Sequence, residues 1–102
     1  MNRVAILLNV NDDVATALTA LPAGQTIDVN LDTTEFSTQL VEDIAFGHKY
    51  ALRDIAKGED ILKYGLPIGQ ALADIRAGEW VHVHNCRSEH YGFHREKYGL
   101  NA

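Results

Sequence analysis

Three short runs hold the residues best suited to chemistry: Phe46-Gly47-His48-Lys49-Tyr50-Ala51-Leu52, Lys63-Tyr64-Gly65-Leu66-Pro67-Ile68-Gly69, and Val81-His82-Val83-His84-Asn85. Imidazole moves protons near neutral pH and ligates metals. An ammonium group binds carboxylates. Backbone released by glycine can present its N–H groups to an oxyanion. Together these residue types suit a substrate that carries a carboxylate and must gain or lose a proton.

Each candidate has a functional and a plain structural reading. His48, between Gly47 and Lys49 at a turn into a strand, can serve as base, acid or metal ligand, or can simply bond a backbone carbonyl. His82 and His84 are two apart on an expected strand, so both leave one face and can chelate one metal. Zinc, iron and manganese all accept imidazole, but further ligands must then come from His48 or a partner. The alternative is a solvated strand face, against which Trp80 on the same face argues for an interface or pocket wall. Lys63, beside Tyr64 and Gly65, binds a carboxylate or snorkels past the core into water. Lys49 and Arg53 are candidates of the same kind on what reads as a basic solvent face. His90 and His94 would share a face only in a helix, which Gly92 opposes. Cys86 has no evident activator and reads as a bystander thiol.

The elements that position these residues follow from an internal repeat. Leu21-Pro22-Ala23-Gly24-Gln25-Thr26-Ile27, Ile55-Ala56-Lys57-Gly58-Glu59-Asp60-Ile61 and Ile75-Arg76-Ala77-Gly78-Glu79-Trp80-Val81 share one pattern. Each is apolar, two spacers, glycine, two further residues, apolar. That pattern predicts a short turn ended by a glycine at positive φ and then a strand, with the flanking apolar residues packed together. The unequal spacing of the copies excludes a solenoid. The alignment also places Lys63 with Val29 and Val83, on an inward face.

Elsewhere, Val4-Ala5-Ile6-Leu7-Leu8 fits a buried first strand. Asp12 or Asp13 would cap a helix carrying Val14, Ala17, Leu18 and Leu21, ended by Pro22 and Gly24. Residues 26–29 extend, and 30–37 read as a loop. The remaining strands are expected over 37–44, 48–53, 60–64, 68–71 and 80–84. The chain is therefore mainly β with short helices, in a single compact domain over 1–85. Residues 86–102 read as a tail that faces a partner or is disordered.

Composition narrows the function classes. The 102 residues, 46% of them hydrophobic, support one small core. A wide pocket would need a partner, either a second copy of the chain or a larger protein. A net charge of −5 argues against a nucleic-acid module. Residues 1–47 have Arg3 as their only basic side chain against seven carboxylates, while 48–102 hold eight Lys/Arg, seven carboxylates and all five histidines. An anion site therefore belongs in the second half. The single cysteine excludes an intrachain disulfide. No apolar stretch approaches a membrane span, no leader precedes the fold, and a cytoplasmic location is expected.

Several motifs in fixed order carry a family resemblance across residues 4–85. They are Gly47-His48-Lys49-Tyr50-Ala51-Leu52, Ile55 with Gly58-Glu59, Lys63-Tyr64-Gly65 with Ile68-Gly69, and Gly78-Glu79-Trp80-Val81-His82-Val83-His84-Asn85. The sequence resembles the amino-terminal module of the altronate dehydratase family, a SAF domain of β-clip fold similar to type III antifreeze proteins. The resemblance implies a sugar-acid dehydratase or a related sulfo-lyase. It also implies a large catalytic subunit as partner and a divalent metal, iron or manganese, held mainly by that partner. His48 is then the catalytic candidate, Lys49, Lys63, Tyr64 and Gly65 the substrate-binding candidates, and His82 and His84 the metal candidates. The alternative is a noncatalytic module that binds a sugar acid or mediates an interaction.

Overall fold

Residues 3–88 are described by the computed structural model, and every regular element among them is a β-strand. Strands β1 (Ala5–Ile6), β2 (Val14–Ala17), β5 (Lys49–Ala51) and β8 (Trp80–Val81) form one antiparallel sheet in the order β1-β2-β5-β8. Strands β3 (Thr26–Leu31) and β4 (Thr34–Gln39) form a hairpin. Strands β6 (Asp60–Lys63), β7 (Leu66–Ala71) and β9 (Cys86–Arg87) form a third sheet in the order β6-β7-β9. With strands this short, turns and isolated bridges must satisfy much of the backbone.

The repeat supplies those bridges, and it has four copies, over 17–27, 40–50, 51–61 and 71–81. Gly24, Gly47, Gly58 and Gly78 close the turns at φ of +88°, +82°, +90° and +91°. The copies pair first with second and third with fourth. Leu21 and Ile44 exchange two backbone hydrogen bonds of 2.8 Å, and Ile55 and Ile75 do the same at 2.8 Å. Each glycine N–H donates to the carbonyl that opens its partner copy. Gly24 reaches Leu40, Gly47 reaches Ala17, Gly58 reaches Ala71 and Gly78 reaches Ala51, all at 2.8 Å. The chain is thus two similar halves, 17–50 and 51–81, each carrying one hairpin. They meet where β5 pairs with β8 in a self-matching register, Lys49 opposite Val81 and Tyr50 opposite Trp80.

Each half has its own apolar cluster. Leu21, Ile27, Val29, Leu40, Ile44 and Tyr50 pack with β1 in the first, and Val14, Ala51, Ile55, Ile61, Ile75 and Val81 in the second. Asp12 and Asp13 tie the start of β2 to the second hairpin. Asp13 accepts the Leu62 N–H at 2.8 Å and Arg53 Nε at 2.7 Å, while Asp12 accepts the Gly65 N–H at 2.7 Å.

The structure departs from the expected elements at β2, at residues 30–37 and at the end of β8. No helix forms among the described residues. Val14, Ala15 and Ala17 belong to a strand buried on both faces, whose unbroken apolar run mimics helical spacing. The two aspartates do cap backbone N–H groups, but on a distant hairpin. Residues 30–37 are not a loop but the reversal and second strand of the β3–β4 hairpin, whose largely solvated β4 carries little apolar signal. β8 ends at Val81, and residues 82–85 turn. Pairing also reaches into the segment read as a tail, since Cys86 and Arg87 pair with Ala71 and Gln70. Residues 89–102, with His90 and His94, lie outside the described residues.

Gly78 combines positive φ with close backbone approach, because a Cβ there would collide with the Gln39 carbonyl oxygen. At Gly58 a Cβ would meet nothing within 4 Å. Gly58→Ala is expected to lose only the conformational term, about 1–2 kcal/mol. Gly78→Ala should lose about 1–3 kcal/mol more through the forced shift of backbone. Urea denaturation of the two variants measures the difference, and equal losses would contradict the close approach.

Tyr50 gives a pH-dependent test. It is fully buried, and burial, with a smaller contribution from the Asp28 carboxylate, pushes its phenol well above the usual tyrosine value. The folded state therefore holds this proton more tightly than the unfolded state. The associated stability is complete below pH ~10 and is lost as pH rises through the folded value, at about 1.4 kcal/mol per pH unit. The hydroxyl has no hydrogen-bond partner among the described residues. Tyr50→Phe should therefore leave stability at pH 7 within about 0.5 kcal/mol and flatten the alkaline limb of the stability–pH curve. An unchanged alkaline slope would show that Tyr50 does not set it.

Candidate functional site

His48 follows Gly47 at the last turn before β5, and the antiparallel pairing of β5 with β8 brings it beside Trp80. The ring centroids of His48 and Trp80 are 5.4 Å apart, and those of His48 and His82 5.3 Å. Trp80 stacks on His82 at 5.1 Å and tilts against His84 at 4.8 Å. The structure therefore unites His48, Trp80, His82 and His84 in one cluster. The Trp80 N–H is held by Glu42 Oε2 at 3.0 Å, which ties β8 to the second copy of the repeat.

The two later histidines arrive by turn rather than by strand alternation. Asn85 closes this turn. Its Oδ1 accepts the His82 N–H at 2.9 Å and its Nδ2 donates to the Trp80 carbonyl at 2.8 Å. The Cys86 N–H donates back to the His82 carbonyl at 2.8 Å. Both imidazoles lie against the indole, and among the described residues no three His, Cys, Asp or Glu side chains gather as a metal-holding group. The ring contacts within this cluster suit proton handling and stacking. Two of its polar atoms, His48 Nδ1 and Trp80 Nε1, are buried with no hydrogen-bond partner among the described residues. Such orphaned groups carry a desolvation penalty that a ligand or partner surface can relieve.

The lysine candidates are placed differently. Lys49 lies on β5 opposite Thr16 and Val81, next in sequence to His48. Lys63, Tyr64 and Gly65 form a separate group at the β6–β7 reversal. Lys63 Nζ sits 3.7 Å from the Tyr64 ring centroid, and no hydrogen bond, ion pair or ring contact among the described residues joins this group to the His48 cluster. The inward face expected for Lys63 holds only at Val29. Val29 is buried, Lys63 is half-buried and Val83 is 74% exposed, because Val83 sits in the turn after β8. Arg53 is engaged by the buried Asp13 carboxylate. A groove of about 320 Å³ lies between 3–8 and 28–31, and it includes none of the candidate residues.

Sequence reading missed that His48 itself belongs to a copy of the repeat. Gly47 stands at the same offset from Ile44 as Gly58 from Ile55, but Tyr50 replaces the closing aliphatic residue and hides the match.

The family model of the altronate/galactarate dehydratase SAF domain matches residues 3–89. The chain is 51% identical over 83 residues to altronate dehydratase of Escherichia coli (strain K12), an overlap of 81% of this chain and 16% of that protein. It is 35% identical over 63 residues to (2R)-sulfolactate sulfo-lyase subunit alpha of Paracoccus pantotrophus, an overlap of 62% of this chain and 94% of that subunit. Galactarate dehydratase (L-threo-forming) of Escherichia coli (strain K12) is 36% identical over 80 residues, 78% of this chain and 12% of that protein. The chain thus spans a small fraction of the dehydratases and nearly the whole of the Paracoccus pantotrophus sulfo-lyase subunit.

Cys86 adjoins the cluster, and burial pushes its thiol up while Lys49 partly offsets the shift. A raised thiol holds less thiolate at neutral pH and reacts slowly. Alkylation by iodoacetamide at pH 8 is expected to be slower than for a free cysteine, and slower still in Lys49→Ala. A rate at or above that of free cysteine would mark Cys86 as activated.

Proposed function

The chain belongs to the altronate/galactarate dehydratase SAF-domain family, and on that premise we propose that it is the small subunit of a hydroxy-acid lyase whose active site it shares with a large catalytic subunit. Support for the division comes from the chain's overlap with 94% of a relative named as a subunit. The observation that carries the active-site role is the His48–Trp80–His82 cluster, with His48 Nδ1 buried and unpartnered.

The reaction is β-elimination from a hydroxy acid. A base takes the proton α to the carboxylate, and its electron pair forms the new double bond. The β-substituent leaves as water after protonation, or as sulfite from a sulfolactate-like substrate. Charge accumulates on the carboxylate as an enediolate. His48 is assigned the proton, as acid or base, with its ring oriented by Trp80 and His82. Lys49, one residue on, adds positive charge beside this site. Lys63, Tyr64 and Gly65, held apart on the second hairpin, would meet substrate only across the subunit boundary. His82 and His84 are turned onto the indole, so a divalent metal, iron or manganese, is assigned to the large subunit, where it would stabilise the enediolate. The alternative is that the chain binds the sugar acid without catalysing its elimination.

Reconstitution with the large subunit separates these readings. His48→Ala should leave complex formation intact and lower kcat by about 10²–10⁴-fold, the usual contribution of a positioned acid or base. A change confined to KM would favour the binding role, and unchanged turnover in an intact complex would remove His48 from the chemistry.

A further inference from the structure

The four turns of the repeat are built alike, so their differences can be compared position by position. The N–H groups to compare are those of the residues two and one before the glycine, a pair present in every copy but the first, where Pro22 takes the earlier position. In the third copy, Ala56 N–H donates to Glu59 Oε1 at 2.6 Å and Lys57 N–H to Asp74 Oδ1 at 2.9 Å. In the fourth, Arg76 N–H donates to Glu79 Oε1 and Ala77 N–H to Asp54 Oδ1 at 2.9 Å. Two carboxylates therefore cap each turn, one from the residue after its own glycine and one from the partner copy. In the first copy, Ala23 N–H donates to Asp43 Oδ1 at 2.8 Å, and Pro22 has no N–H to satisfy.

The second copy departs at both positions. The residue after its glycine is His48, where the third and fourth copies have Glu59 and Glu79. The residue of the partner copy that would cap Phe46 is Ala20, where the others have Asp43, Asp54 and Asp74. Ala45 and Phe46 N–H groups accordingly have no acceptor among the described residues. The His48 ring does not substitute for the glutamate, because its Nδ1 has no partner and the ring is turned toward Trp80 and His82. Successive outward N–H groups before a residue at positive φ form a concavity suited to an anion.

We infer that the Ala45–Phe46 turn is a carboxylate-binding site, in which a ligand carboxylate supplies the two oxygens that Glu59 and Asp74, or Glu79 and Asp54, supply to the sibling turns. The site lies beside His48, so a bound hydroxy acid would present its α-carbon near the imidazole. The identity of the anion as a hydroxy acid rests on the function proposed above, whereas the site itself rests on comparison of the turns. Placing a carboxylate on the protein at the missing position should occupy the turn from within.

The test uses the full chain, ¹⁵N-labelled, titrated with sodium glycerate and, at matched ionic strength, with sodium chloride or glycerol. Saturable downfield shifts of the Ala45 and Phe46 amide protons are expected with glycerate alone. Ala20→Asp should move the Phe46 amide downfield without ligand, weaken the glycerate response about tenfold, the equivalent of about 1.4 kcal/mol, and raise Tm by about 4–8 °C. Thr19→Asp adds the same charge one residue away and should retain the response. Equal shifts with chloride, shifts confined to other amides, or equal losses in the two variants would overturn the site. None of these readouts requires turnover or a partner, so a failed reconstitution would count against the proposed function without deciding this site.

Discussion

The structure depends on the reciprocal backbone pairing of turns. Strands of two to six residues cannot build long ladders, so the chain must satisfy its N–H and C=O groups where it reverses. The exchanges between Leu21 and Ile44 and between Ile55 and Ile75 do this, and the glycine N–H bonds to Ala17, Leu40, Ala51 and Ala71 lock each pair. This arrangement works only if the residue after each apolar bridge turns back at positive φ two positions later than its first spacer, which is where glycine stands in all four copies. Because the paired residues are also buried aliphatic ones, hydrogen bonding and apolar packing are satisfied by the same positions.

Pairing of turns yields two halves, and the junction between them is where His48 and Trp80 meet. β5 closes the first half and β8 the second, and their pairing brings the residues around the two turns together. Tyr50 and Val81 point into the core on this junction, while His48 and Trp80 gather at its edge. Glu42 and Asn85 then fix the Trp80 backbone from two directions. Within the cluster the backbone of His48 is held by Ala17 and Ala45, and that of His82 by Asn85.

The sequence made part of this legible. Glycine at a constant offset between apolar residues identified three turns, and the short strands after them were found because β-branched and aromatic residues fill them. β2 was misread because a strand buried on both faces loses its period of two, and Val14, Ala17 and Leu21 then coincide with helical spacing. The β3–β4 hairpin was hidden by its exposure, with Thr34, Glu35, Ser37 and Gln39 all solvated. His48, Trp80, His82 and His84 were identified by type, yet their union required the β5–β8 pairing, which is a long-range fact. His82 and His84 were correctly associated with Trp80 for an incorrect reason, since a turn pinned by Asn85 replaces the strand alternation.

The least legible feature was the Ala45–Phe46 turn, and the reason is general. Alanine at position 20 and histidine at 48 are individually unremarkable residues. Their meaning appears only when one knows that the second copy caps the first and that the third and fourth cap each other. A structural repeat supplies its own internal controls. Where three turns retain a carboxylate from the partner copy and one does not, stability alone cannot explain the difference, because a cap at the exposed position 20 would be locally favourable. The exception falls in the copy that carries His48. A protein built by repetition can thus separate scaffold from chemistry, using carboxylates of its own to close some turns and leaving another with donors for a carboxylate brought by a ligand.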